Sequence, residues 1–185
     1  MPVTLPFVTA MCPTYRRPKC LRNVVALWEL QDYPADRREL IVLDDAHQYD
    51  PCEGPSWVVV SQAPRFESLP AKYMALAAAA KPETEILVVW EDDDVYLPWH
   101  VSAHVAALET TDWSRPTVAW SNYGGTLHQE PATGRFHGSW AYRKSHFELV
   151  GGYVQTKNLI FDQATGAAMA AMGRTGDPCD HKPPS

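Results

Sequence analysis

The chain has 185 residues, 45% apolar and 21% charged, an ordinary balance for one globular domain that buries roughly 70% of its unfolded surface. With 16 Lys and Arg against 22 Asp and Glu, the net charge of −6 excludes a broad electrostatic grip on nucleic acid or an anionic membrane, though not a local basic groove. Cys12, Cys20, Cys52 and Cys179 form no CxxC pair, the first residues carry no basic, apolar leader, and no apolar run approaches the ~20 residues of a membrane span. These features point to free thiols in a soluble, cytoplasmic protein.

The first half alternates strand and helix patterns. Pro6–Cys12 reads as a short apolar strand, and Pro13 and Pro18 bracket a turn. Leu21, Val24, Val25 and Trp28 then recur at helical spacing up to about Gln31. Glu39–Asp45 and Ser56–Ser61 are continuous apolar runs, as expected of strands covered on both faces. Pro70–Ala80 opens on proline and is rich in alanine, so it predicts a helix. Glu85–Glu91 is the strongest strand pattern, and Pro98 opens a helix whose Val101, Val105 and Leu108 share a face. The order is β-α-β-β-α-β-α, which argues for a mainly parallel sheet covered by helices. Ligands bind such sheets outside the carboxyl ends of the strands. Three segments converge on that edge: "CPTYRR", "LDDA" and "WEDDDVY".

The second half is less regular. "TVAWSNY" is a strand candidate, and "GGTLHQEPATGRFHGSWAYRK" reads as two strands around a "PATG" turn. Leu149–Tyr153 ends a short helix at the Gly151-Gly152 pair, and Phe161–Gly173 is a small-residue helix stopped by Gly173. These elements place the domain at residues 1–176, with 177–185 as a Pro-rich tail of little folding tendency.

The acidic knot Glu91-Asp92-Asp93-Asp94 follows directly on a buried strand pattern. Two carboxylates about 6 Å apart repel by roughly 3 kcal/mol at an effective dielectric of 20. A solvated turn dissipates that repulsion. Packed between "ILVVW" and "VYLP", the cluster needs a cation, and hard divalent ions such as Mg²⁺ or Mn²⁺ prefer these oxygen ligands.

The ordered set "PFVTAMCPTYRRPKCLRNVVALWELQDYP", "ELIVLDDA", "LPAKYMALAAAA", "EILVVWEDDDVYLPWH", "GSWAYRKSHFELVGGY" and "FDQATGAAM" resembles family 2 glycosyltransferases over about residues 6–172. That resemblance implies a GT-A (Rossmann-like) single domain, a UDP- or GDP-linked sugar donor, Mn²⁺ or Mg²⁺, and an acceptor hydroxyl of unidentified nature. It also implies roles for particular residues. Tyr15, after Pro13-Thr14, would lie against the nucleotide base; Arg16 and Arg17, at the same strand edge by position, meet phosphate or are solvated charges. Asp45, with Asp44 beside it, would accept a hydrogen bond from the base. Glu91-Asp92-Asp93 would be the DxD-type element, with Asp93 the principal metal ligand and Glu91 the second. Lys72 would meet the donor phosphates, and Asp162 would be the general base of an inverting transfer. The chain departs from the family pattern in having Glu91 at the first DxD position and Phe161 before Asp162, and in a short acceptor side.

Other residues admit two readings. His100 and His104, four apart on a helix, have a metal-binding spacing or are plain polar helix positions. His181 reaches back to the metal or stays in the tail. His137, Trp140 and Tyr142 face an acceptor sugar or pack a hairpin. Trp90 and Trp99 are expected in the core. Clustered carboxylates also suit a metal-dependent phosphoesterase, and the same fold suits a non-catalytic nucleotide- or carbohydrate-binding domain.

Overall fold

The computed structural model describes residues 4–156, 160–181 and 183. In chain order the elements are β1 (Phe7–Thr14), α1 (Leu21–Glu29), β2 (Arg38–Asp44), β3 (Cys52–Gly54), β4 (Trp57–Ser61), α2 (Leu69–Ala79), β5 (Thr84–Val89), α3 (His100–Ala107), β6 (Trp113–Ser114), β7 (Val118–Tyr123), β8 (Thr126–Pro131), β9 (Ala141–Arg143), α4 (Lys144–Leu149), α5 (Phe161–Met172) and β10 (Thr175–Gly176).

Among the described residues the main sheet runs β10-β6-β9-β5-β1-β2-β4-β3. Its centre, β5-β1-β2-β4, is parallel throughout, as the uninterrupted apolar runs predict. Every residue of β2 is buried. One core layer packs Val24, Trp28, Val88 and Trp90 beneath α1 and α3. The other packs Tyr73, Leu76, Leu87 and Trp140 beneath α2 and α5. The start of α2 is fixed locally: the Ser68 side chain accepts from the Ala71 N–H at 3.2 Å and Pro70 stands in the first turn.

Register positions the site. Thr14 pairs with Asp44 across β1 and β2, while Met11 pairs with Val89 across β1 and β5. Three residues beyond each member of the second pair, Asp92 comes level with Thr14. The carboxyl ends of β1, β2 and β5 therefore deliver Thr14, Asp44 and the acidic turn to one rim.

The second half departs from its reading in two places. The ribbon β7-β8 turns at Gly124-Gly125, whose φ values of 61° and 86° are the left-handed ones a tight hairpin requires; "PATG" lies where the ribbon ends. The segment expected as a tail begins in the fold, since Pro178 is buried and Asp177 accepts from the Thr117 hydroxyl at 2.5 Å. Residues 182, 184 and 185 of that segment lie outside the described residues.

Candidate functional site

The acidic turn is built from below. Trp90 is buried, edge-on to Trp28 at 5.3 Å and stacked on Tyr96 at 3.9 Å. The Tyr96 hydroxyl accepts from the Glu91 N–H at 2.7 Å and donates to the Gly138 carbonyl at 2.9 Å. One phenol thus closes the turn and ties it to the segment 137–139. Gly138 permits that approach: a Cβ there would stand 2.3 Å from Asp94 Oδ2 and 2.9 Å from Glu91 Cγ. Tyr96 and Gly138 lie at the ends of the segments "WEDDDVY" and "GSWAYRKSHFELVGGY", but neither was given a role from the sequence.

The four carboxylates differ. Asp92 is buried, accepts from the Thr14 hydroxyl at 2.6 Å and pairs with Arg17 at 2.5 Å. Asp93 is half exposed and shares the same Arg17 nitrogen at 2.8 Å. Burial alone lowers the Arg17 pKa, but Asp92 and Asp93 outweigh it and hold the guanidinium above its ordinary value. Glu91 accepts from the Tyr73 hydroxyl at 3.1 Å and from His137 Nδ1 at 3.3 Å, both on Oε1. Burial pushes its carboxyl up, yet the His137 and Tyr73 contacts prevail and keep it below the ordinary value. Asp94 lies exposed at the end of the turn; partial covering of its carboxyl, and then the charges of Glu91 and Asp93, push it up to about 6 against the lowering effect of Arg17.

Arg17 makes its ion pairs with Asp92 and Asp93. Among the described residues no three His, Cys, Asp or Glu side chains converge as a complete metal cage. Small hard cations are commonly held by one or two carboxylates, with phosphates and water completing the shell. Half-exposed Asp93, and Glu91 Oε2, which takes no hydrogen bond among the described residues, have the chemistry of such ligands.

At the β1 rim, Tyr15 is half buried and Arg65 lies over its ring at 3.8 Å, with Arg16 at 5.2 Å. Arg65 was not singled out by any sequence pattern. Asp44 and Lys72 are both engaged within the chain. Asp44 is fully buried and accepts from the backbone N–H groups of Ala46, Gln48 and Tyr49, so it anchors the loop after β2 and has no free face for a ligand. Lys72 points inward from α2, donating to the Thr14 carbonyl and to Asp45 Oδ1, each at 2.6 Å, with both charged side chains buried. Asp45 also accepts from the Phe66 N–H at 3.0 Å and thereby holds the rim from beneath.

Asp162 sits half buried in the first turn of α5 and accepts from the Gln163 N–H at 2.8 Å. Its neighbour Phe161 packs on His137 at 5.4 Å and Tyr73 at 6.3 Å, the two residues that hold Glu91. Asp162 is close enough that its charge raises the Tyr142 and Tyr153 hydroxyl pKa values, after the larger effect of burial. The acidic turn and the start of α5 therefore share one aromatic cluster.

The expected histidine roles divide. His100 and His104 are not surface positions: His104 is fully buried, the rings lie 4.6 Å apart, and both Nε2 atoms are buried without a partner among the described residues. Burial drives His100 down to about 3 and His104 well below its ordinary value. His181 is exposed on a turn that packs beside α3. Trp99 is half buried at the start of α3 and lies outside the core. A groove of about 590 Å³ along α1, lined by Leu21, Val25, Tyr49 and Trp57, includes none of the acidic turn.

The sequence matches no family model and no curated protein. The fold has clear counterparts among solved structures. S. aureus TarS 1–349 superposes with a TM-score of 0.74 at 14% identity, over 92% of this chain and 57% of that one. The same protein in complex with UDP-GlcNAc gives 0.71 at 13% identity, over 92% and 55%. The mannosyltransferase PcManGT from Pyrobaculum calidifontis, in complex with GDP-Man and Mn²⁺, gives 0.67 at 18% identity, over 96% and 56%. The fold is GT-A-like. This chain spans a little over half the length of these counterparts. Among the described residues no helix is long and apolar enough to cross a membrane.

Proposed function

We propose that this domain transfers a sugar from a nucleoside-diphosphate donor to an acceptor hydroxyl with inversion, assisted by Mn²⁺ or Mg²⁺. The observation that carries the reading is the delivery of Thr14, Tyr15, Arg17 and the acidic turn to one rim, with Asp162 across a shared aromatic cluster. The counterparts with UDP-GlcNAc and with GDP-Man and Mn²⁺ support the donor class.

In this reading Asp93, with Glu91 Oε2, would hold the cation. When bound, it offsets the negative charge that develops on the departing diphosphate. The protein's own groups do the rest. Arg17 adds fixed positive charge beside Asp92 and Asp93. The Tyr15–Arg65 stack offers a flat surface at the rim for a base. Lys72, paired with Asp45, donates to the Thr14 carbonyl and keeps that backbone in place beneath it. Asp162 takes the proton from the acceptor hydroxyl as that oxygen attacks the anomeric carbon and the bond to the diphosphate breaks.

A thermal-shift screen of nucleoside diphosphates, with and without Mn²⁺, tests the donor half. UDP or GDP should raise the melting temperature only with the metal present. Asp162→Asn tests the other half: donor binding should persist while transfer and slow donor hydrolysis are lost. Turnover that survives this substitution places the base elsewhere, and binding without any turnover in the wild type reduces the domain to a nucleotide-binding one.

A further inference from the structure

His137 lies in the short helical turn His137–Ser139 and is buried. The turn is held in an unusual shape. Phe136 enters it at a φ of 55°, uncommon for a bulky residue, and Gly138 follows with no room for a side chain beneath the acidic turn. The His137 ring is surrounded by Tyr73 at 5.0 Å, Trp140 at 5.3 Å, and Tyr153 and Phe161 at 5.4 Å. Its two nitrogens each meet one polar atom: Nδ1 faces Glu91 Oε1 at 3.3 Å and Nε2 faces the Tyr153 hydroxyl at 2.8 Å.

Hydrogen-bond chemistry fixes the direction at Glu91. An ionised carboxylate only accepts, so Nδ1 carries a proton and donates to Glu91. On the far side of the ring, Nε2 and the Tyr153 hydroxyl share one hydrogen bond, and the Tyr153 and Tyr142 hydroxyls share another at 3.3 Å. Tyr73 donates to the same Oε1. Both inner contacts fall on Oε1, which leaves Oε2 for another ligand.

We propose that His137 is a positioning residue for the acidic turn: clamped between Tyr153 and Glu91, its Nδ1–H fixes Glu91 through Oε1 so that Oε2 stays available to the cation that accompanies the donor diphosphate. The Nδ1 donation stands on hydrogen bonds within the chain. The role toward the cation rests on the function proposed above. Partners of this kind, one bond removed from a metal ligand, orient it, and their loss typically weakens metal affinity roughly 10–100-fold.

Two measurements on the full chain test this. Long-range ¹H–¹⁵N spectra of the ¹⁵N-labelled protein at neutral pH, with the His137 ring identified by its loss in His137→Phe, should show a protonated Nδ1. A ring bare at Nδ1 overturns the proposal. Calorimetric titration of UDP and GDP with Mn²⁺ should then separate the variants. His137→Gln, whose amide extends toward the Nε2 position, should bind roughly 10–100-fold more weakly than wild type. His137→Asn, whose amide can place a donor near the Nδ1 position, should recover most of the loss. A role confined to filling space would weaken both variants alike, and that result, or unchanged affinity in both, overturns the proposal. Wild-type protein that binds neither nucleotide refutes the donor reading and with it the cation role, while the spectra still judge the Nδ1 donation to Glu91.

Discussion

Replacing Lys72 by Met tests how the rim is held. The ammonium and the Asp45 carboxylate are both buried, at 4% and 3% side-chain exposure, and 2.6 Å apart. Met keeps the length and apolar stem of Lys but removes the charge, leaving Asp45 with the Phe66 N–H as its remaining named partner. Stranding one member of a buried pair costs about 3–5 kcal/mol, against a total stability of roughly 5–15 kcal/mol for a domain. For a chain of this size each kcal/mol shifts the melting temperature by about 2–4 °C, so the variant should melt roughly 6–20 °C lower. Urea titration followed by tryptophan fluorescence measures the same loss as a lower midpoint. Asp45→Leu combined with Lys72→Met removes both charges and should regain much of it, because a buried pair is often replaceable by apolar groups. A loss below about 1 kcal/mol in Lys72→Met would refute the buried-pair account and return Lys72 to the donor phosphates.

Other expectations follow from the same geometry. Folding keeps His100 at about 3 and unfolding restores it to 6.5, so the unfolded chain binds more protons below pH 6.5. Stability is therefore full above pH 6.5 and falls as the pH drops toward 3; between pH 6.5 and 4.5 His100 alone should cost about 2 kcal/mol in urea midpoints. His100→Leu should flatten that profile, and an unchanged slope would count against the burial argument. Gly138→Ala drives a Cβ into Asp94 and Glu91, so it should destabilise by about 1–3 kcal/mol and weaken Mn²⁺-dependent nucleotide binding in calorimetry. Thr14→Val removes the hydroxyl that donates to buried Asp92 at 2.6 Å; thermal melting should show a loss of about 1–3 kcal/mol.

The parallel centre of the sheet was legible because its strands are covered on both faces and read as unbroken apolar runs, from "ELIVLD" to "EILVV". The rim followed from strand order, since parallel strands must end on the same side. The short antiparallel strands β6 and β9 span two and three residues, too few to show a period. The Gly124-Gly125 turn carried a readable signal that "PATG" outcompeted. At the proposed site, residue type and position marked Asp92 and Asp93 as candidates, while the surroundings of each carboxylate come from its partners. Asp44 and Lys72 look like ligand groups in the sequence and are anchors in the fold, because their contacts come from loops and strands 2 to 58 residues away. His137 lies 46 residues from Glu91, joined to it by no spacing a sequence could reveal.

The central claim is that the acidic turn holds a divalent cation against a nucleoside diphosphate. Calorimetric titration of UDP and of GDP into wild type and Asp93→Ala, each with Mn²⁺ and with EDTA, tests it most directly. The account predicts heat of binding for one nucleotide in wild type with Mn²⁺, abolished by EDTA and by Asp93→Ala alike. Equal affinity with and without the metal, or an Asp93→Ala variant that binds as wild type does, would contradict it.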